Sequence, residues 1–316
     1  MLKLVRLLLV FVLLPVLLTA AAALAWLRWD AGRPLGPYFE ARKGNLSSAE
    51  IMAATLDAGQ VAEFRTLRSD AGLAVRVRII RPEVADGALP VLIVLGGHRT
   101  GSDAVDLFGN VGQKAVVALD YPYDGPEKVR GIRQVLSTIP LARQAFIDTP
   151  PAVSLALDWI TGQSWANDDE LVIVGASLGV PFAALAAARD ERVDVAMLVH
   201  GAADNRDWLE TQVARRIDNT LLQGPLATII HWLAYGPTFN TAANVAQISP
   251  RPVIIVGARE DERTPARQTG ALFDAAGEPK LLRWTEGQHI EPDRADIIAE
   301  LLALADELLP VPPVNR

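Results

Sequence analysis

Five short runs of apolar residues, separated by stretches of helical character, constrain the fold of this chain more than any other feature. None of the runs alternates with polar residues, which is typical of strands covered on both faces. The runs lie at 91–95, 115–119, 171–174, 193–199 and 253–256. Candidate helices lie at 102–110, 151–160, 181–189 and 265–276. This order predicts an α/β fold with a mostly parallel sheet and helices on both of its faces.

Two further extended segments, 61–67 and 73–80, flank the turn-forming residues 69–72. In the second segment, valine and isoleucine alternate with arginine from Val75 onward. Such alternation is typical of a strand with one buried and one wet face. We therefore predict an antiparallel N-terminal hairpin at the edge of the sheet.

The residue composition bounds the class of protein. The chain has 316 residues, 50% hydrophobic and 21% charged, which is typical of one large globular domain. Its formal net charge is -7 and basic residues do not cluster beyond the N-terminus, so nucleic acid is not an expected partner. Cysteine is absent, which excludes disulfides and a thiol nucleophile. Neither a paired-histidine metal motif nor a cofactor motif is present, so no metal or cofactor is predicted.

The N-terminus has the pattern of a targeting segment. Lys3 and Arg6 precede an apolar run over 7–27, which is long enough to cross a bilayer. The preceding positive charge predicts an extracytoplasmic location for the rest of the chain. Alanines at 21–23 and 25 also offer cleavage patterns, so residues 1–30 are either a signal peptide or a membrane anchor.

The remaining boundaries are coarser. We predict a linker with a short helix over 31–60, because 47–50 (Ser-Ser-Ala-Glu) fits a capping box. The main domain is expected over 61–309, followed by a tail over 310–316. Within it, residues 204–250 exceed what a connection between two strands needs, and their apolar spacing predicts a helical insertion. Such an insertion is either a connecting helix pair or a lid over the site.

The strongest chemical motif is a G-x-S-x-G pentapeptide between an apolar strand and an apolar helix start. Ser177 lies at its centre, flanked by Gly175 and Gly179. A nucleophile on a strained strand-to-helix turn requires small neighbours, and the helix N-terminus favours developing negative charge. Ser177 is therefore the predicted nucleophile, the alternative being a serine that only caps the helix.

A serine nucleophile needs a base and an acid that orients it, in the chain order Ser, acid, His. Only His289 lies beyond a strand that could carry the acid. The loop after that strand offers three carboxylates. We predict Asp261 as the acid and keep Glu260 as the alternative, the unused carboxylates being solvated charges. His200, at the end of the fourth parallel strand, is either a packed histidine at the rim or a substrate contact.

The oxyanion hole requires two backbone N–H groups. Leu178, the residue after the nucleophile, supplies one, and the glycine-rich turn after 91–95 supplies the other through Gly97 or His98. The turn lacks the G-x-G-x-x-G pattern, so dinucleotide binding is not predicted.

Together, the segments 96–98, 175–179, 257–265 and 287–289 resemble the α/β-hydrolase superfamily. The likeness covers roughly 61–309, and the loop 120–126 resembles dienelactone-hydrolase-like and acetyl-esterase-like members. The resemblance implies Ser177 as nucleophile, Asp261 as acid and His289 as base. The chain departs from the common pattern in having Gly-Gly-His in the oxyanion loop and an extra carboxylate in the acid loop.

These features predict a serine esterase that cleaves small or medium carboxylic esters through an acyl-enzyme on Ser177. Its expected partners are a small ester substrate and, if the leader is uncleaved, a membrane. One alternative is a serine peptidase of the prolyl-oligopeptidase type. A second is a non-catalytic envelope binding protein on the same scaffold.

Overall fold

A computed structural model describes residues 9–97, 100–126 and 128–308, and its centre is a nine-stranded sheet. The strands are β1 (Leu46–Asp57), β2 (Gln60–Ser69), β3 (Ala74–Pro82), β4 (Leu89–Leu95), β5 (Ala115–Leu119), β6 (Ala166–Ala176), β7 (Val195–Val199), β8 (Val253–Ala258) and β9 (Lys280–Thr285). Their spatial order is β1-β2-β3-β5-β4-β6-β7-β8-β9. The six strands from β5 to β9 in this order pair in parallel, whereas β1, β2 and β3 are antiparallel and β3 meets β5 antiparallel. The predicted mostly parallel sheet with an antiparallel N-terminal hairpin is confirmed.

Helices cover both faces of this sheet. They are α1 (Leu14–Ala31, after a π-helical turn at Leu9–Leu13), α2 (Gly36–Lys43), α3 (Gly131–Ile160), α4 (Gly179–Arg189), α5 (Asn205–Ala214), α6 (Thr220–Leu233), α7 (Thr241–Val245), α8 (Ala266–Ala275) and α9 (Ala295–Leu308), with a 3₁₀ helix at Gly101–Leu107. Val153 of α3 and Phe182 of α4 lie in the core on one face. Val105 of the 3₁₀ helix and Leu301 of α9 lie in the core on the other. The strands between them are buried on both sides, which is why their sequences are continuously apolar.

The prediction of a linker over 31–60 is wrong. Residues 47–50 form no helix cap but begin the edge strand β1, and the hydroxyl of Ser47 donates to the carbonyl of Arg68 on β2. Pairing with the open edge of β2 satisfies a whole row of backbone groups, which a single capping box cannot do. Ala58 and Gly59 close the hairpin, both with positive φ. The short helix lies upstream as α2, and Phe39 of α2 is buried in the core.

Two helix predictions are also corrected in their bounds. The helix expected over 151–160 is twenty residues longer at its start, since α3 begins at Gly131 and contains Pro140, Pro150 and Pro151. Proline is common in the first turn of a helix, so Pro150 and Pro151 suggested that the helix begins there. The segment expected to be helical over 102–110 is a 3₁₀ helix that ends at Leu107.

Most of the apolar N-terminal helix lies outside the domain, and only its C-terminal end is packed into it. Val10–Ala31 is the one helix among the described residues that is long and apolar enough to cross a membrane. Its most apolar stretch has a mean hydropathy of 2.4. Phe11 and Leu17 on it are exposed, whereas Leu27 and Ala31 at its end are buried in the domain. The helix therefore continues directly into the fold.

Residues 204–250 form three helices, α5, α6 and α7, with the first two packed against each other. The helical insertion is thus confirmed, and only its action as a lid stays a prediction. The helix N-caps are polar side chains, as Asp204 accepts from the N–H of Arg206 and Asn219 from that of Leu221.

Candidate active site

Ser177 lies in a tight turn between β6, which ends at Ala176, and α4, which begins at Gly179. Its φ of 53° is in the left-handed region, where a non-glycine residue is strained. A Cβ on Gly179 would lie 1.9 Å from the carbonyl oxygen of Leu95, and one on Gly175 would lie 2.8 Å from the carbonyl oxygen of Gly179. Because only glycine fits at both positions, α4 starts directly against the sheet with Ser177 at its N-terminus.

A chain of hydrogen bonds runs from Ser177 through His289 to Asp261. The Nε2 atom of His289 lies 2.7 Å from the Oγ atom of Ser177, and its Nδ1 atom lies 2.8 Å from Oδ2 of Asp261. The side chains of His289 and Asp261 are only 1% and 2% exposed. A carboxylate only accepts, so Nδ1 carries the imidazole proton and Nε2 accepts the hydroxyl of Ser177. The structure therefore brings the three predicted residues together in the geometry of a nucleophile, a base and its orienting acid.

The loop after β8 holds Asp261 in this orientation. Its Oδ1 atom accepts the backbone N–H of Arg263 at 2.8 Å and that of Thr264 at 2.6 Å. These two bonds satisfy a buried carboxylate and leave Oδ2 for the imidazole. His289 follows β9, so the serine, acid and base all lie at the carboxyl ends of the parallel strands β6, β8 and β9.

The other two carboxylates of this loop take different positions. Glu260 is exposed, and among the described residues its side chain has no hydrogen-bond partner. Glu262 accepts the backbone N–H of His289 at 3.0 Å and pairs with Arg294 at 3.1 Å. Burial acts to raise the pKa of Glu262, but the N–H of His289 and the charge of Arg294 hold it below its ordinary value. Glu262 is therefore ionised and fixes the backbone of His289. The sequence had suggested only a solvated charge at this position.

His200 connects the loops that carry His289 and Asp261. The residue is 1% exposed, and its Nδ1 atom accepts the N–H of Ile290 at 2.9 Å. Its Nε2 atom lies 3.2 Å from Oγ1 of Thr285, and its carbonyl oxygen accepts the hydroxyl of Thr264. Because the backbone N–H of Ile290 can only donate, Nδ1 accepts and the proton of the neutral ring is on Nε2. Both nitrogens are used within the protein, which favours the packed histidine over the substrate contact.

Acid is expected to destabilise the protein through His200. Burial lowers the pKa of His200 from 6.5 to about 4, with the charge of Asp261 opposing part of the shift. Between these two values the unfolded chain binds a proton that the folded chain does not. The free energy of unfolding should therefore fall by about 3 kcal/mol as the pH drops through this window.

The matched variant for this prediction is His200→Asn. Asparagine tolerates the φ of 55° at this position and keeps an acceptor for the N–H of Ile290, but it does not titrate. Chemical unfolding of both proteins at a series of pH values should show the acid-dependent loss in the wild type and a flatter profile in the variant. Two parallel profiles would exclude His200 as the titrating group.

The expected oxyanion-hole residues lie beside Ser177. A Cβ on Gly97 would be 3.7 Å from the Cβ of Ser177, and among the described residues the N–H groups of Gly97 and Leu178 have no acceptor. The hydroxyl of Tyr121 donates to the carbonyl of Gly96 at 2.6 Å and so holds this loop, while burial raises the pKa of Tyr121. The other predicted donor, His98, lies outside the described residues.

The first helix of the insertion contacts the loop of Asp261. Gln212 donates to the carbonyl of Arg263 at 3.0 Å, and Arg215 donates to the carbonyl of Glu262 at 3.1 Å. The insertion therefore lies against the acid loop, next to the site.

A metal ion has little to bind at this site. One ligand-type atom each of His200, Asp261 and His289 lies within 4.8 Å of the others. The nitrogens of both histidines already take part in hydrogen bonds with Ile290, Thr285, Asp261 and Ser177. The closeness of these three side chains is thus explained by their hydrogen bonds, which fits a hydrogen-bonded chain better than a set of metal ligands.

The strand order and the serine-bearing turn after β6 define the α/β-hydrolase fold, and solved structures share it. An acetyl xylan esterase from Paenibacillus sp. R4 is similar with a TM-score of 0.60 and 16% identity, over 89% of this chain and 99% of that one. Acetyl xylan esterase 1 from Thermoanaerobacterium sp. JW/SL YS485 has a TM-score of 0.56 and 16% identity, over 88% and 97%. The α/β hydrolase GrgF from Penicillium sp. sh18 has a TM-score of 0.53 and 17% identity, over 79% and 99%. At such identities the likeness establishes the fold.

No family model and no curated protein matches the chain. The function must therefore be argued from the site itself.

Proposed function

We propose that this chain is a serine hydrolase that cleaves carboxylic esters through an acyl-enzyme on Ser177. One observation carries the proposal. The Oγ atom of Ser177 lies 2.7 Å from Nε2 of His289, whose other nitrogen is held by Asp261. A serine that only capped α4 would need neither a buried histidine at this distance nor an acid behind it.

The geometry supplies each step of acyl transfer to water. Nε2 of His289 takes the proton as Oγ of Ser177 attacks the ester carbonyl, and Asp261 stabilises the imidazolium. The N–H of Leu178, with that of Gly97 or His98, binds the developing oxyanion. His289 then returns the proton to the leaving alcohol. Water, deprotonated by the same nitrogen, attacks the acyl group and releases the acid with Ser177 restored.

Two observations favour an ester over an amide as substrate. Two of the proteins that share the fold are named as acetyl xylan esterases. The prolyl-oligopeptidase alternative requires a propeller ahead of the catalytic domain, whereas α2 and β1 occupy the segment that follows α1. The proposal therefore places ester hydrolysis ahead of peptide cleavage.

We also propose that α1 is retained as a membrane anchor with the catalytic domain outside the cytoplasm. The end of α1 is part of the fold, because Asp30 is buried and pairs with Arg33 and Arg143. Lys3 and Arg6 precede the apolar stretch, which favours an N-terminus inside the cell.

A substrate comparison tests the proposed activity. The purified full chain should hydrolyse p-nitrophenyl esters of short acids with a higher kcat/KM than p-nitroanilides of amino acids. The p-nitrophenolate of the ester is a better leaving group than the p-nitroanilide of the amide, so the tetrahedral intermediate of the ester collapses to the acyl-enzyme more readily. Faster cleavage of the anilides would establish a peptidase instead. Turnover of neither class by a folded protein would favour a binding protein on the hydrolase scaffold.

A further inference from the structure

Helix α6 is apolar but largely unburied. Its fourteen residues are rich in leucine and isoleucine, yet Ala227 is its only buried residue. Leu221 is 82% exposed, Leu222 is 49% exposed and Ile230 is 38% exposed. Helices on the surface of a soluble protein turn polar side chains toward water. The exposed leucines and isoleucine of α6 therefore indicate that an apolar partner covers this helix.

Helix α6 lies against the N-terminal apolar helix. Leu24, Trp29 and Trp232 line a shallow groove between α1 and α6. Arg143 links the C-terminal ends of α6 and α1, because it donates to the carbonyl of Leu233 at 2.9 Å and pairs with Asp30 of α1. The C-terminal end of α6 therefore lies beside the proposed membrane anchor.

A second exposed apolar surface lies at the start of α3. Ile132 is 70% exposed and Leu136 is 60% exposed. The exposed basic residues Lys128, Arg130 and Arg133 flank them. Apolar side chains next to arginine and lysine on one helix end are typical of helices that lie in the interface of an anionic bilayer.

Helix α3 is joined by three ion pairs to the chain that leads back to the anchor. The pairs are Lys43 with Asp158, Arg42 with Asp148, and Asp30 with Arg143. Followed toward the N-terminus, this chain therefore runs along α3 toward the start of that helix. The two turns of α3 that carry Ile132 and Leu136 lie beyond the last of these contacts, at the end of α3 nearer the Asp30–Arg143 pair.

We propose that the exposed apolar residues of α6 and of the start of α3 form a docking surface for the lipid bilayer that α1 crosses. We call this surface the bilayer patch, and its members are Ile132, Val135, Leu136, Leu141, Leu221, Leu222 and Ile230. The proposal rests on the proposed anchor, which holds the patch at the membrane surface. Helices α5 and α6 pack together as one hairpin, and α5 contacts the loop of Asp261. Docking of the patch would therefore place the active site close to the lipid surface. An ester dissolved in the bilayer could then reach the site without crossing water.

The absence of cysteine makes a direct test available. Single-cysteine variants of the full chain, labelled with an environment-sensitive fluorophore, are reconstituted into vesicles of phosphatidylcholine and phosphatidylglycerol. Leu221→Cys and Leu136→Cys report on the patch. Val16→Cys reports on the anchor, and Val84→Cys, at a residue 76% exposed in the loop after β3, is the aqueous control.

The bilayer patch predicts a blue-shifted emission at positions 221 and 136, quenched by lipids that carry a nitroxide near the headgroup. Position 84 should show neither effect, and position 16 should be quenched by nitroxides deep in the acyl chains. Emission at 221 and 136 that matches position 84, while 16 is quenched, would overturn the patch and leave the anchor intact. A blue shift that lipid nitroxides do not quench and that depends on protein density would assign the surface to a second copy of the chain, and would also overturn the patch. An unquenched position 16 would overturn the anchor, and with it the patch.

Discussion

Replacing Ser177 with alanine is expected to lower kcat for p-nitrophenyl ester hydrolysis by about 10⁶-fold, because it removes the atom that forms the acyl-enzyme. The substitution deletes one oxygen atom and leaves the turn between Ala176 and Gly179 unchanged. The loss should therefore appear in kcat with the free energy of unfolding nearly unaffected. Steady-state kinetics and chemical unfolding of the purified variant measure both quantities.

The matched control is Ser137→Ala. Ser137 is exposed on α3, where its hydroxyl bonds only to the carbonyl of Gln134 among the described residues. This variant should keep the activity of the wild type. Wild-type turnover by Ser177→Ala would remove Ser177 from the mechanism, whatever the geometry of the site.

Replacing Asp261 with asparagine is expected to lower kcat by about 10⁴-fold, through the wrong tautomer of His289. The asparagine oxygen can keep the N–H bonds of Arg263 and Thr264, which places its NH₂ group opposite Nδ1 at the 2.8 Å now spanned by Oδ2. An NH₂ group donates, so Nδ1 must accept and the ring proton moves to Nε2. That nitrogen then donates to Ser177 and cannot take its proton.

Glu260→Gln is the control for this effect, since Glu260 is the other carboxylate that the sequence offered as acid. Its side chain is exposed, so the substitution should leave kcat unchanged. Nitrogen chemical shifts of the His289 ring report the tautomer directly. A large loss of kcat in Glu260→Gln together with an active Asp261→Asn would reverse the assignment of the acid.

The sequence was sufficient for the parts of the fold that are buried on both faces. The strands β5, β7 and β8 are buried at every position, so their residues had to be continuously apolar and were readily identified. The parallel order also explains why Ser177, Asp261 and His289 could be grouped, because the loops after parallel strands all lie at one edge of the sheet.

The exposed parts of the fold were not predictable in the same way. Strand β1 is exposed along most of its length, and it forms because β2 offers an unpaired edge, which is a tertiary contact. The first turns of α3 are exposed on every side, and Pro140 after them obscured the helical spacing of Ile132, Val135 and Leu136. Local sequence determines such segments only weakly, because their partners lie elsewhere in the chain.

The fine structure of the site also lay beyond the sequence. The loop after β8 carries three carboxylates, and its backbone path alone decides that Asp261 faces the imidazole while Glu262 meets the N–H of His289. The role of His200 depends likewise on its contact with Ile290, ninety residues away. Sequence order supplies the candidates, and three-dimensional contacts distinguish among them.

The central claim is that Ser177 is an activated nucleophile, and covalent labelling tests it most directly. The full-length protein is treated with a fluorophosphonate, digested, and the modified peptide is identified by mass spectrometry. The account predicts a single adduct on Ser177, lost in Ser177→Ala and formed far more slowly in Asp261→Asn. A folded protein that forms no adduct, or forms it on another serine, would contradict the account.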